Sequence, residues 1–485
     1  MFKLQHTLIK QLFDDVNKDK TKPNYILKGW VRSIRKLSEI IFVEMYDGSY
    51  SQDLQLVIDK DSKYDKSPFY VGSTITVTGK INYRKNKQFE IKIDTLEITG
   101  KINEPSTYIP AIKKANLEFL RNHQHYRSKF RSFGSIFRIR SKLTHIIHDF
   151  FRLHNFCHLD PNIITTSDCE GAGQVFTVTK LLDNDEIDKI PLLDSTNKID
   201  FTKDFFNKPA YLTVSSQLQL EALCAGMGAV YTTNPSFRAE PSLTKRHLCS
   251  FTHLEYEIPF ISLSDLMDFS EDLLKYCIDR VLTECIDDLN LLDKFISKGI
   301  ISKLKSFLVP FERISYEDAI KLIEKNRKDI LGIYSKDLKD IPKFGDDLRS
   351  NCEKYLTDVI FKKPIFVFNY PKSLKSFYMK QNDKSDDIDD SRLTVQACDL
   401  LVPQLGELIG ASVREDNYDK LIKEMKDRKM NIIPLQFYLD LRKNAATPTA
   451  GGGLGFDRLV SVCTLMDGNI RDVVPFPVAY NECNY

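Results

Sequence analysis

Three stretches of the chain carry residue types suited to handling a phosphate ester. The first runs Phe237-Arg238-Ala239-Glu240, then Lys245-Arg246-His247, then Phe251-Thr252-His253-Leu254-Glu255-Tyr256-Glu257. It reads as two strands joined by a basic loop. A guanidinium is planar, permanently charged and able to bond two phosphate oxygens at once, so Arg238 on the first strand suits an anion. Arg246 and His247 could reach further phosphates, and Phe251 offers a flat face to a base. The second stretch is Asp399-Leu400-Leu401-Val402-Pro403-Gln404-Leu405-Gly406-Glu407. Pro403 to Gly406 reads as a turn, which would set Asp399 and Glu407 nearly opposite across a hairpin. Facing carboxylates repel, and Mg²⁺ bound with nucleotide phosphates would remove that cost. Arg414 follows a small-residue run, Gly410-Ala411-Ser412. The third stretch is Gly451-Gly452-Gly453-Leu454-Gly455-Phe456-Asp457-Arg458, where missing side chains would let a ligand approach the backbone. It fits neither the dinucleotide fingerprint nor the P-loop pattern. For Arg238, Glu240 and Arg458 the competing reading is a buried ion-pair network.

Such groups need a scaffold. Residues 24–100 contain five short β-branched or alternating runs, at 25–27, 40–43, 54–58, 74–77 and 89–93, with Asp47-Gly48 and Gly79 as turn residues. Five short strands in so few residues predict a small closed barrel of the OB type, which binds oligonucleotides. Trp30, Arg32, Arg35, Lys36 and Phe42 lie on its first two strands, where the aromatics either stack on bases or fill the core. Residues 106–135 read as a basic connector. From Ser135 to Phe156 the spacing of Ile136, Ile139, Leu143, Ile146, Ile147, Phe150 and Phe151 predicts a helix. Strands and helices then alternate to residue 485, with a Lys-rich, largely helical stretch at 262–342. The tract Asp383–Arg392 reads as a polar hairpin tip.

Composition narrows the class. The 485 residues are 42% hydrophobic and 28% charged, which excludes a disordered chain and suffices for two to four domains. The longest uncharged run is 16 residues, Ala222–Phe237, too short and too polar to span a bilayer. The N-terminus has acids where a secretory signal needs apolar residues, so the expectation is a soluble cytoplasmic protein. None of the ten cysteines forms a C-x-x-C pair, and most are expected to be reduced and buried. The net charge of +2 hides a segregation, since residues 1–135 carry 24 basic and 15 acidic side chains and residues 136–485 carry 45 and 52. The basic N-terminal third fits either a polyanionic partner or a solvated Lys-rich surface.

In this order the blocks resemble the class II aminoacyl-tRNA synthetases of the aspartate–asparagine–lysine subgroup, most closely the asparaginyl form. The barrel carries Gly29-Trp30-Val31-Arg32 and Asp47-Gly48-Ser49. Motif 1 would end near Asp160-Pro161, motif 2 is the Arg238–Glu257 block and motif 3 the Gly451–Arg458 block. Longer asparaginyl-like runs are Thr166–Gly173, Tyr211–Ser215 and Asn469–Pro477. The resemblance implies an α+β protein: an N-terminal five-stranded OB-fold barrel at 1–105, a hinge at 106–135, and at 136–485 a class II catalytic domain with an antiparallel sheet flanked by helices and a helical insertion near 262–342.

It also implies a two-step reaction, in which asparagine's carboxylate attacks the α-phosphate of ATP and the acyl group then passes to the terminal adenosine of tRNA(Asn). By the same resemblance Arg238 contacts the α-phosphate, Arg458 and His247 the γ-phosphate, and Phe251 and Arg458 sandwich adenine. Arg246 serves as a further ATP contact, and Glu240 faces ATP or the incoming adenosine. Asp399 and Glu407 hold Mg²⁺, Glu170 and Gln217 hold the amino-acid head group, and Trp30, Arg32 and Phe42 meet the anticodon. Motif 1 implies a homodimer. Leu220 stands where aspartyl relatives place a Lys, so a carboxamide is the expected side chain, with Arg414 donating to its oxygen and Glu255 accepting from its NH₂. Departures from the family pattern include Pro241-Ser242-Leu243, Thr252-His253, Asn351-Cys352, Lys380, Thr449, Gly452 and Val478. An aspartate-charging or non-discriminating enzyme, an amidotransfer or asparagine-synthesis paralogue, and a non-catalytic RNA-binding paralogue are the alternatives.

Overall fold

The computed structural model describes residues 4–59, 63–64, 69–84, 88–112, 115–167, 174–182, 189–194, 196–335, 338–383, 392–465 and 468–485. The chain divides into two compact units, one of residues 1–138 with 287–296, the other of residues 139–286 with 297–485.

In the first unit, helix α1 (Ile9–Asn17) precedes strands β1 (Tyr25–Lys36), β2 (Ile40–Tyr46), β3 (Leu54–Asp59), β4 (Thr74–Tyr83) and β5 (Phe89–Gly100). All five expected runs fall on these strands. Antiparallel pairs join β3 to β2, β2 to β1, β1 to β4 and β4 to β5. A parallel pairing of Leu56 and Val57 with Ile91 and Lys92 closes the barrel. Closure leaves few free edges, and alternation sends Tyr25, Leu27 and Val31 inward with Val43, Met45, Leu56, Val77 and Ile91. Ile9 and Leu12 of α1 join that core. The Asp47 carboxylate accepts from the Ile9 amide at 2.7 Å and so receives a donor that the helix start leaves open.

Helix α2 (Arg131–Leu153) begins four residues before the expected start, and its apolar stripe is buried throughout. The second unit is built on an eight-stranded sheet. In chain order its strands are β6 (Cys157–His158), β7 (Val230–Phe237), β8 (Ser250–Pro259), β9 (Glu312–Ser315), β10 (Ile365–Phe368), β11 (Ala397–Val402), β12 (Gly406–Val413) and β13 (Thr449–Gly455). Their spatial order is β9-β10-β11-β12-β13-β8-β7-β6. The six central strands are antiparallel as expected, whereas β9 and β6 add in parallel at the two edges. The helices that bear on the site are α3 (Gln217–Met227) and α4 (Phe456–Thr464). The 262–342 stretch is largely helical, as expected, but it also supplies edge strand β9. Nearly all of the Asp383–Arg392 tract lies outside the described residues. Six of the nine described cysteines are buried and none is in a disulfide. No described helix is long and apolar enough to cross a membrane.

Candidate active site

Strands β7 and β8 pair residue for residue from Val230↔Glu257 to Phe237↔Ser250, so the first block is a hairpin with a long basic loop. Arg238 is the first residue past β7. Its amide donates to the Cys249 carbonyl at 2.9 Å, and its guanidinium lies 5.5 Å from the Phe251 ring centre. In the loop, His247 Nδ1 shares hydrogen bonds with the Ser242 and Thr244 hydroxyls at 3.0 and 2.5 Å, and Nε2 is 3.7 Å from Glu240. Burial and the neighbouring Arg458, Arg246 and Arg238 hold the His247 pKa below its usual value against the pull of Glu240. Its imidazole is therefore neutral at pH 7 and offers a hydrogen bond rather than a charge. Arg246 donates to the Leu405 carbonyl and the Ser350 hydroxyl, and stands 3.9 Å from Glu353.

The β11–β12 hairpin departs from the expected register. Asp399 pairs with Gly410, and Glu407 with Leu401 rather than with Asp399. A bulge between Leu400 and Leu401 changes the count by one residue, and a one-residue change moves a side chain to the other face of a strand. Without it Glu407 would face away from Asp399. With it both carboxylates hang over Gly410, where a Cβ would lie 3.2 Å from Glu407 Oε1 and 3.7 Å from Asp399 Oδ1. Two hard oxygen donors over a bare glycine fit Mg²⁺, which takes one or two carboxylates and completes its shell with phosphates and water. Among the described residues no cluster of three or more His, Cys, Asp or Glu could cage a metal alone. Burial pushes the Asp399 carboxyl up, although Lys375 opposes it. Enclosure also works upward on Glu407, but Arg458, Lys375, Arg238 and Arg246 together bring it below its ordinary value. Close by, Glu353 is pushed up to about 7 by burial and by Glu407.

The third block is not a phosphate loop. Gly451, Gly452 and Gly453 lie inside β13, between β8 and β12. A Cβ on Gly451 would overlap the Glu257 carboxylate and the Tyr256 carbonyl, and one on Gly453 would overlap the His253 ring. The glycines make room for side chains from the adjacent strand. Gly455 then caps α4, whose first turn carries Arg458, and Arg458 Nη1 donates to the Glu407 carbonyl at 2.8 Å. Asp457, one residue earlier, is 2.5 Å from Arg140 and accepts from the Thr252 amide at 3.0 Å.

Arg414 and Glu255, the two residues expected to read a carboxamide, each make their own contacts. Glu255 and Glu257 are two residues apart on β8 and so share a face. Glu255 accepts from the Ser215 hydroxyl and, at 3.1 and 3.0 Å, from the Ser216 amide at the start of α3. The partner of Arg414 is Glu257, with Nε 3.0 Å from Oε1 and Nη2 2.8 Å from Oε2, both side chains almost fully buried. Behind them Glu221 accepts from Gln217 Nε2 at 3.1 Å, from the Tyr438 hydroxyl at 2.7 Å and from Arg442. Glu257 is legible in the sequence as the second acid of an alternating Glu-x-Glu. Which acid meets Arg414 depends on register.

Two adjoining cavities collect these groups. The smaller, about 130 Å³, is lined by all seven residues expected to bind ATP: Arg238, Glu240, Arg246, His247, Phe251, Glu407 and Arg458. The larger, about 250 Å³, is lined by Gln217, Glu255, Arg414 and Asp399, and also by Glu257, Lys375 and Tyr378. Arg238, His253, Glu407 and Gly453 line both. Glu170 lies outside the described residues.

In the barrel, Trp30 and Phe42 are half-buried. The Arg35 guanidinium sits 4.8 Å above Phe42, leaving an aromatic and a cation paired on the β1–β2 surface. Arg32 is tied up internally: it lies 3.6 Å from the Tyr46 ring centre, 3.2 Å from Asp53 and bonded to the Lys129 carbonyl.

Comparison with known proteins matches residues 116–480 to the family model for tRNA synthetases class II (D, K and N) and residues 25–99 to that for the OB-fold nucleic acid binding domain. The asparagine–tRNA ligase of Borreliella burgdorferi is 39% identical over 461 residues, covering 94% of this chain and 95% of the relative. The probable mitochondrial asparagine–tRNA ligase of Dictyostelium discoideum is 39% identical over 97% of this chain and 95% of its own. Among solved structures, the Pyrococcus horikoshii asparaginyl-tRNA synthetase complexed with asparaginyl-adenylate superposes with a TM-score of 0.79 at 28% identity, over 98% of this chain and 99% of that one. The Entamoeba histolytica enzyme in complex with asparaginyl-adenylate gives 0.77 at 27% identity, over 95% and 96%.

Proposed function

We propose a mechanism from the premise that this chain belongs to the class II tRNA synthetases of the D, K and N group, in their asparagine–tRNA ligase branch. It ligates asparagine to tRNA(Asn). In the first step an asparagine carboxylate oxygen bonds to the α-phosphorus of ATP and the bond to the β-phosphate bridging oxygen breaks, releasing pyrophosphate. In the second, a hydroxyl of the tRNA's terminal adenosine attacks the adenylate carbonyl, loses its proton and expels AMP.

The observation that carries this reading is the meeting of the two cavities at Arg238 and Glu407. A nucleotide in the smaller cavity would bring its α-phosphate to Arg238, with adenine against Phe251 and Arg458 and the outer phosphates toward His247 and Arg246. An amino acid in the larger cavity would bring its carboxylate to the same junction. Positioning and stabilisation of the negatively charged transition state by Arg238 then supply the catalysis. Asp399 and Glu407 would hold Mg²⁺, which neutralises phosphate charge when bound.

In the larger cavity Arg414 donates to the carboxamide oxygen and Glu257 accepts from its NH₂, while Gln217 and Glu255 attend to the head group. Glu257 takes the role first expected of Glu255, because it is the acid beside Arg414 and Glu255 already accepts bonds at the start of α3. The barrel, about residues 1–105, meets the anticodon through Phe42 and Trp30, with Arg35 a better-placed cation than Arg32. The chain works in the cytoplasm as a homodimer, which sedimentation would test.

The deciding experiment is amino-acid-dependent ATP–pyrophosphate exchange. Exchange with asparagine and not with aspartate is expected; exchange with aspartate would overturn the pocket assignment.

A further inference from the structure

The Asp399–Glu407 pair already has a cation beside it. Lys375 Nζ donates to both Asp399 oxygens, at 2.8 and 2.6 Å, and so sits in the notch between them. The ammonium also lies over the Tyr370 ring, with Nζ 3.9 Å from the ring centre. Lys375 and Asp399 are both largely shielded from solvent, at 17% and 14% exposure. A charge-assisted contact with a shielded carboxylate is strong and persistent compared with a surface pair. The ammonium also lines the larger cavity together with Asp399 and Glu407, the two acids that would hold a divalent ion. Two cations cannot share that space at contact distance without strong repulsion.

We propose that Lys375 is a resident counter-cation for the acid pair: it keeps divalent cations from settling there ahead of the nucleotide, and yields Asp399 when the cation arrives with ATP. The proposal rests on the reading that Asp399 and Glu407 take the divalent ion. Its physical content is competition. Arg458, Arg238 and Arg246 act on Glu407, whereas Lys375 is the cation on Asp399; without it the two acids over Gly410 would bind a free divalent ion on their own. With Lys375 in place, they do so only when phosphate oxygens complete the coordination shell and add their own negative charge.

The test is titration with Mn²⁺, following free ion by electron paramagnetic resonance, on the full chain alone and with a non-hydrolysable ATP analogue. Lys375→Met keeps an unbranched side chain of similar length and removes the charge. Without nucleotide it should bind Mn²⁺ at least tenfold tighter than the parent, Lys375→Arg should not, and adding Asp399→Asn to Lys375→Met should abolish the gain. If Lys375→Met fails to fold, Lys375→Gln is read in the same way. Unchanged or weaker Mn²⁺ binding by the uncharged variant would overturn the proposal and make Lys375 an orienting partner of Asp399. The underlying reading fails separately: if Asp399→Asn leaves Mn²⁺ binding to the analogue complex unchanged, the acids are not the metal site, whatever the Lys375 variants do.

Discussion

Substitution of Glu257 by Gln tests the assignment of the side-chain pocket. Glu257 is 1% exposed and accepts from Arg414 Nε at 3.0 Å and Nη2 at 2.8 Å. Gln preserves the shape, but it removes the charge and turns one acceptor into a donor aimed at a guanidinium. A hydrogen bond to a charged partner contributes about 1.5–3 kcal/mol, so losing the acceptor for the carboxamide NH₂ should cost about 10- to 150-fold in kcat/KM for asparagine. Arg414 would keep the Ser412 hydroxyl at 2.7 Å and Glu221 at 3.7 Å, and would be left with charge to spare for a substrate carboxylate. Exchange with aspartate should therefore rise while exchange with asparagine falls. Glu255→Gln is the control. It weakens bonds at the start of α3 and the hold on the head group, which both substrates share, so both should fall with their ratio unchanged. Pyrophosphate exchange measured with each amino acid gives that ratio directly. If Glu255→Gln shifts it and Glu257→Gln does not, the side-chain acceptor is Glu255 and the reasoning from the Arg414 geometry is wrong.

Other consequences are open to measurement. Gly451→Ala drives a methyl into the Tyr256 carbonyl and the Glu257 carboxylate, so it should lower stability by about 3 kcal/mol and abolish exchange. Gly226→Ala, in α3 with nothing within 4 Å of the new methyl, should instead raise stability by about 0.5–1 kcal/mol in the same thermal melts. Glu353, raised to about 7 by burial and by Glu407, takes up a proton in the folded chain that the unfolded chain lacks between pH 4.5 and 7. Its contribution thus becomes less favourable as pH rises through that window, by up to about 3 kcal/mol. Glu353→Gln should gain melting temperature relative to the parent as buffers go from pH 5 to pH 8, and an equal difference at both would contradict this. Phe42→Ala should raise the KM for tRNA about 5- to 150-fold, the range for losing one base stack, while pyrophosphate exchange stays unchanged. Arg32→Ala should show itself mainly as a lower melting temperature, since Asp53 is left with Arg131 as its arginine partner and the Lys129 carbonyl loses the Arg32 donor.

The chemistry of this chain and its class of fold were legible in one dimension. Alternation along 25–27, 40–43, 54–58, 74–77 and 89–93 sets the barrel strands, because period-two burial is a local property of extended backbone. The apolar stripe from Ile136 to Phe151 sets a helix for the same local reason at period 3.6. The seven residues that the class II resemblance implies for ATP all line one cavity. What the sequence left open depends on register and on contacts between distant segments. One bulge at Leu400/Leu401 decides that Asp399 and Glu407 share a face, and no composition signal marks it. Glu255 and Glu257 are equivalent along β8 until α3 approaches one and Arg414, 157 residues away in sequence, approaches the other. The glycines of β13 gain their purpose only from the side chains of β8 beside them. Lys375 becomes the partner of Asp399 only because its loop is brought to strand β11. Local pattern determines which elements form; the pairing of those elements decides which of several chemically equivalent side chains meet, since an ion pair or a metal site needs its atoms within about 3 Å and sequence spacing alone does not set such distances.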